Sequence, residues 1–175
     1  MRRLTKAGII RAVSVILRAT RPDELDSVLA MEAAASAAPF IVRWSVSEHQ
    51  AALADPDQDH IAIEEDGRLV GFILLAGLRN PNHAVELRRI VMSEPGRGLG
   101  SRALALAIEY AFGRLDAHRL WLDVKVRNDR ARRVYERAGF TREGVLRDAI
   151  LTDGTYESLI VMSILKSEHL ARHGQ

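Results

Sequence analysis

Ala84-Val85-Glu86-Leu87-Arg88-Arg89-Ile90-Val91-Met92, followed by Ser93-Glu94-Pro95-Gly96-Arg97-Gly98-Leu99-Gly100 and a long run to Leu115, is the stretch on which the fold turns. Its first nine residues are rich in apolar and β-branched side chains and read as a strand. From Gly98 to Leu115, Leu99, Ala103, Leu106, Ala107 and Tyr110 recur at helical spacing and predict the longest helix of the chain. Between the two, Gly96-Arg97-Gly98-Leu99-Gly100 lets backbone approach a ligand closely. The unpaired N–H groups at a helix start attract phosphate through hydrogen bonds and the helix dipole, so a phosphorylated ligand is expected there. Glycines also serve ordinary tight turns, and Gly98, Gly100 and Ala103 satisfy the dinucleotide fingerprint G-x-G-x-x-G/A, with Asp123 near where a ribose-binding acid would stand. Both readings stay open at this point.

Upstream, Val13 to Arg18 reads as a first strand. Thr20-Arg21-Pro22-Asp23-Glu24 opens a helix with Leu25, Val28, Leu29 and Met31 as its apolar stripe, Thr20 being the candidate cap. After Trp44, Ser45 and Glu48 have capping-box spacing for a second helix that stops at Asp55-Pro56. Strands His60 to Glu65 and Arg68 to Ala76 flank Asp66-Gly67, a dipeptide that accepts the positive φ angles of a hairpin turn. Downstream lie a strand from Arg119 to Val126, a helix from Asp129 to Arg137 ended by Gly139, and strands Phe140 to Ile150 and Tyr156 to Leu165 joined through Asp153-Gly154. The order β-α-α-β-β-β-α-β-α-β-β is no regular βαβ repeat, and its closing hairpin argues against the dinucleotide reading. It predicts an α+β domain with a mixed sheet.

The 175 residues suit one domain, with 1–12 as a loose leader, 13–166 as the folded unit and 167–175 as a tail. With 47% hydrophobic and 27% charged residues, the chain can bury an ordinary core. Its formal charge of +2 does not point to nucleic acid. Cysteine is absent, which excludes disulfides, thiolate zinc sites and a cysteine nucleophile. Arg11 and Arg18 interrupt the apolar stretches near the start, and no run reaches a membrane-spanning length, so a cytoplasmic protein is expected. His169 and His173 have i,i+4 spacing in the tail but lack further ligands, so no metal is expected.

Three segments together resemble the GCN5-related N-acetyltransferase family: Pro95-Gly96-Arg97-Gly98-Leu99-Gly100, Asn128 through Tyr135 to Gly139-Phe140, and Gly154-Thr155-Tyr156 leading to Met162. The branch most like this ending contains ribosomal-protein alanine acetyltransferases and spermidine acetyltransferases. Pro95 departs from the family's usual Gln or Arg and lacks a backbone N–H. The resemblance implies a mixed, mostly antiparallel sheet with two splayed central parallel strands and about four helices. It implies acetyl-coenzyme A as cosubstrate, no metal, and direct transfer in a ternary complex to a primary amine, either a small molecule or a protein N-terminus; a homodimer is common among members.

By the same resemblance, coenzyme A lies along Ile90, Val91 and Met92, and its pyrophosphate meets the amides of Arg97, Gly98, Gly100, Ser101 and Arg102. Asn128 contacts it while serving as a helix cap. Tyr135 stands where the family places a hydroxyl beside sulfur, as general acid, and it also lies on the apolar face of its helix. Glu86 stands where the family carries a glutamate base. An alkyl ammonium, with a pKa near about 10, must lose a proton before it attacks. Trp44 and Tyr156 are the candidate acceptor contacts. A non-catalytic coenzyme A-binding module used for sensing is the alternative.

Overall fold

Turn chemistry and one parallel pair organise the sheet. The structure is a computed structural model that describes residues 10–12, 15–35, 40–94, 96 and 98–173. Among them are strands β1 (Ile10–Ala12), β2 (Val15–Ala19), β3 (Gln58–Glu65), β4 (Arg68–Ala76), β5 (Ala84–Met92), β6 (Arg119–Lys125), β7 (Thr141–Thr152) and β8 (Thr155–Leu165). They form a single sheet in the order β1-β2-β3-β4-β5-β6-β8-β7. The helices are α1 (Leu25–Ala35), entered through a 3-10 turn at Pro22–Glu24, then α2 (Val46–Ala54), α3 (Leu99–Gly113), α4 (Asp129–Ala138) and α5 (Lys166–His173).

Both predicted hairpins form, with Asp66 and Gly67 at φ 50° and 80° and Asp153 and Gly154 at φ 49° and 78°. These left-handed pairs match the twist of the flanking strands. The capping box of α2 forms as well: the Ser45 amide donates to Glu48 Oε2 at 2.6 Å and the Glu48 amide to Ser45 Oγ at 3.3 Å. Gly139 ends α4 at φ 107°, where a residue with a Cβ would be strained.

Alternation along the strands builds two apolar layers. On one face, Ile73, Leu75, Leu87, Leu120 and Leu122 pack with Leu99, Ala103, Leu106, Ala107 and Tyr110, the stripe expected of α3. On the other, Phe72 and Val91 meet Val28 and Met31 of α1.

Several expectations need correction. The dinucleotide reading falls, because β5 and β6 are the sole parallel neighbours among the described residues and every other pairing is antiparallel. Thr20 does not cap the first helix; its Oγ1 lies 3.0 Å from His60 Nδ1, while the Arg21 amide donates to Glu24 Oε2 at 2.8 Å. Ile10–Ala12, placed in the leader, pairs with β2. The tail expected after residue 166 is helical, and with it the α-helices number five among the described residues. His169 within it stacks on Phe112 at 5.0 Å, an apolar contact that anchors α5. No helix among the described residues is long and apolar enough to cross a membrane.

Candidate active site

The site arises where the parallel pair stops being a pair. Ala84, Val85 and Glu86 register with Arg119, Leu120 and Trp121, and β5 then runs on to Met92 with no further β6 partner. Between the separated ends lies a cavity of about 510 Å³. Its walls come from Ile90, Val91 and Met92 of β5, Gly100 of α3, Asp123 of β6, and Asn128 and Tyr135 of α4. Phe40, Ile41 and Val42 close it on the side that precedes α2.

At the glycine turn, Gly98 adopts φ 75° and ψ −3° as the residue before α3, and a Cβ built there would meet nothing within 4 Å. Space is therefore open beside the helix start, as a pyrophosphate needs. The amides of Leu99, Gly100 and Ser101 have no carbonyl acceptor within their own helix. The amide of Arg102, expected among the phosphate donors, is already given to the Gly98 carbonyl at 3.2 Å, so it drops out of that set. Arg97 and Pro95 lie outside the described residues.

Asn128 accepts the Ala131 amide on Oδ1 at 3.1 Å, which caps α4 while the residue also lines the cavity. The capped helix aims Tyr135 at the cavity with its ring edge-on to Phe140 at 5.7 Å. Burial, helped by the Asp123 charge, pushes the Tyr135 hydroxyl up to about 12. It thus stays protonated at neutral pH and is a donor.

Of the expected site residues that are described, Gly98, Ser101, Arg102, Glu86, Trp44 and Tyr156 stand outside the cavity wall. Glu86 is held by Arg88 at 2.7 Å. Trp44 packs beneath the site, with the Arg89 guanidinium 4.4 Å from its ring centre. Tyr156 is 65% exposed at the start of β8, too open for a buried acceptor contact. The acid that does line the cavity is Asp123, which sequence reading considered only as a ribose ligand. Crowding by protein atoms, together with the Glu86 charge, raises its carboxyl above the usual range although it still meets solvent. No hydrogen bond or salt bridge from the described residues engages it. The available signal was one acid in an apolar strand, Leu120-Trp121-Leu122-Asp123-Val124.

Three of the four cations that line the cavity are matched. Arg88 pairs with Glu86, Arg89 with Glu32 at 2.5 Å, and Lys125 with Glu157 at 2.5 Å. Glu157 is shared with Arg127, and the Arg127 and Lys125 contacts hold its carboxyl down to about 2. Burial alone would raise the Glu32 carboxyl, but His49, the Trp44 amide and Arg89 more than offset it and leave the pKa lowered.

The chain is 32% identical over 120 residues to a spermidine N(1)-acetyltransferase of Escherichia coli K12, covering 68% of this chain and 64% of the relative's length. It is 31% identical over 105 residues to the spermidine N(1)-acetyltransferase of Vibrio cholerae, covering 59% of this chain and 61% of that one. A crystal structure of spermidine N-acetyltransferase from Vibrio cholerae in complex with CoA and spermine superposes with a TM-score of 0.81, at 22% identity, over 91% of this chain and 99% of that one. That likeness establishes the shared fold. The acetyltransferase (GNAT) family profile matches residues 27–140, a span that holds the splayed strands, the glycine turn and the Asn128-to-Phe140 helix, and the chain belongs to that family.

Proposed function

We propose that this protein transfers an acetyl group from acetyl-coenzyme A to a primary amine in a ternary complex. The carrying observation is that one cavity, opened by the parting of β5 and β6, joins the start of α3 to Asp123 and Tyr135. Acetyl-coenzyme A supplies an activated carbonyl and a thiolate leaving group when bound. The Leu99, Gly100 and Ser101 amides suit its pyrophosphate, and the β5 backbone from Ile90 to Met92, unpaired with β6, suits the pantetheine arm and the carbonyl oxygen. Asp123 accepts the proton that the attacking amine must shed, and Tyr135 gives its hydroxyl proton at the departing sulfur. Glu86, tied to Arg88, modulates Asp123 through its charge.

The acceptor carries a single ammonium, as a protein N-terminus does. A polyamine needs additional carboxylates for its other cations, whereas Glu86, Glu32 and Glu157 are already committed to arginine or lysine. A thiol-release assay with peptides, amino acids, aminoglycosides and spermidine tests both statements. Release with a free-N-terminal peptide and about tenfold lower kcat/KM for spermidine is expected, the factor corresponding to about 1.4 kcal/mol of lost pairing. Preference for spermidine would return the acceptor to the polyamine class, and acetyl-coenzyme A binding with no thiol release from any amine would leave a non-catalytic module. We further infer self-association through β7, the sheet edge, where Leu146 and Leu151 are 49% and 59% exposed. Light scattering reads the oligomeric state directly.

A further inference from the structure

A polar chain that the chemistry above leaves unused leads to the wall formed by residues 40–42. Thr20 Oγ1 lies 3.0 Å from His60 Nδ1, and His60 Nε2 lies 3.0 Å from His49 Nδ1. His49 Nε2 faces Glu32 Oε2 at 3.6 Å. The Trp44 amide donates to that same Oε2 at 2.8 Å, and Arg89 Nη1 donates to Oε1 at 2.5 Å. Arg89 Nη1 also donates to the Val42 carbonyl at 2.7 Å, and its guanidinium stacks over Trp44. Glu32 and His49 are 1% and 0% exposed, a depth at which a carboxylate persists only with partners.

An ionised Glu32 accepts and cannot donate, so His49 presents Nε2–H to it. Glu32 is thus hydrogen-bonded by the Trp44 amide and by Arg89, with His49 Nε2 facing it at 3.6 Å. At the far end Val42 is 55% exposed, while Ile41 beside it is partly buried against Val28, Met31, Phe72 and Val91. Phe40, Ile41 and Val42 form a wall of the cavity.

We propose that Glu32 acts through Arg89 as a positioning residue for the amine acceptor, clamping Val42 and Trp44 so that residues 40–42 stand at a fixed distance from Asp123. The inference rests on the acetyl-transfer reading for its kinetic consequence but not for the clamp itself. Glu32 lines no part of the cavity, so any effect it has on the acceptor travels through Arg89 and the 40–44 segment.

The test uses the full chain, acetyl-coenzyme A and a hexapeptide with a free alanine N-terminus. Glu32→Gln removes the charge, and the double variant Glu32→Leu with Arg89→Met replaces the ion pair by apolar groups of similar volume, which keeps the variant folded if the single change does not. Both are expected to raise the peptide KM about tenfold; for Glu32→Gln, whose residue lines no part of the cavity, kcat stays within about threefold and acetyl-coenzyme A affinity is unchanged by calorimetry. In a Trp121→Phe background, acrylamide quenching of Trp44 rises in both. A folded double variant with wild-type peptide KM and wild-type quenching overturns the clamp. If the wild-type chain releases no thiol with any amine, the acetyl-transfer reading falls, and quenching alone decides: a rise supports the clamp and no change removes it.

Discussion

Arg89 and Glu32, 57 residues apart in sequence, meet at 2.5 Å because β5 changes phase at Arg88. Leu74 pairs with Arg89 and Leu75 with Leu87, which leaves Arg88 as the extra residue of a bulge. Before it, Val85 and Leu87 face the α3 core; after it, Val91 faces α1. Uninterrupted alternation would have turned the Arg89 guanidinium into the apolar α3 layer. The bulge instead sends it to Glu32, and leaves Arg88 beside Glu86.

Tyr135→Phe keeps the ring against Phe140 and removes the donor. We expect kcat to fall by about 10- to 1000-fold with acetyl-coenzyme A affinity unchanged. Steady-state kinetics in an assay limited by chemistry, paired with calorimetry, checks this. Wild-type kcat would reduce the tyrosine to a packing role.

Asp123→Asn and Glu86→Gln separate the two candidate bases. Because the Asp123 pKa is raised, the wild-type rate should fall as pH drops through that raised value, where the carboxylate takes up a proton. Asp123→Asn should lose that acid limb along with about 100-fold or more of kcat. Glu86→Gln should retain the limb at slightly lower pH, since removing the neighbouring charge makes Asp123 easier to ionise. If Glu86→Gln instead abolishes turnover while Asp123→Asn is benign, the roles are reversed.

Two substitutions at Gly98 part stability from ligand binding. Gly98→Ala meets open space, so only the left-handed backbone at φ 75° opposes it, costing about 1 kcal/mol. A small drop in Tm with intact coenzyme A affinity is expected. Gly98→Glu adds a negative charge at the start of α3 and should weaken coenzyme A binding by about 1.4 kcal/mol or more, a factor of ten. Unchanged affinity in folded Gly98→Glu would move the pyrophosphate elsewhere.

His60 makes stability depend on pH. Burial, then the neighbouring His49, lowers its pKa from 6.5 to about 4, so the folded chain resists a proton that the unfolded chain accepts. Stability from this group is complete above pH 6.5. It is lost as pH falls toward 4, by on the order of 3 kcal/mol. Glu24 and Glu32, whose pKa values are lowered, add a separate loss below their ordinary value of 4.5. Urea unfolding between pH 7 and 4 reads the slope, and His60→Gln should flatten its upper part. An equal slope in that variant assigns the dependence to other groups.

What sequence alone determined here is local. Asp66-Gly67 and Asp153-Gly154 make their hairpins because those residues tolerate positive φ, Ser45 and Glu48 cap α2 because three-residue spacing lets each reach the other's amide, and the apolar stripe of α3 follows from a 3.6-residue period. Asn128, Tyr135 and Gly100, named through the resemblance, line one cavity for the same reason, since each sits within or beside an element whose direction its own residues set. Tertiary structure decided the rest. The bulge at Arg88 depends on how β5 registers against β4, so no pattern within β5 announces which face Arg89 takes. Asp123 gains its raised pKa from burial and from the Glu86 charge, which only the folded sheet brings near. Thr20 looks like a helix cap until β3 sets His60 beside it. A charge or hydroxyl acquires its role from the groups that surround it in space, and residues 40 to 57 positions away are invisible to local periodicity.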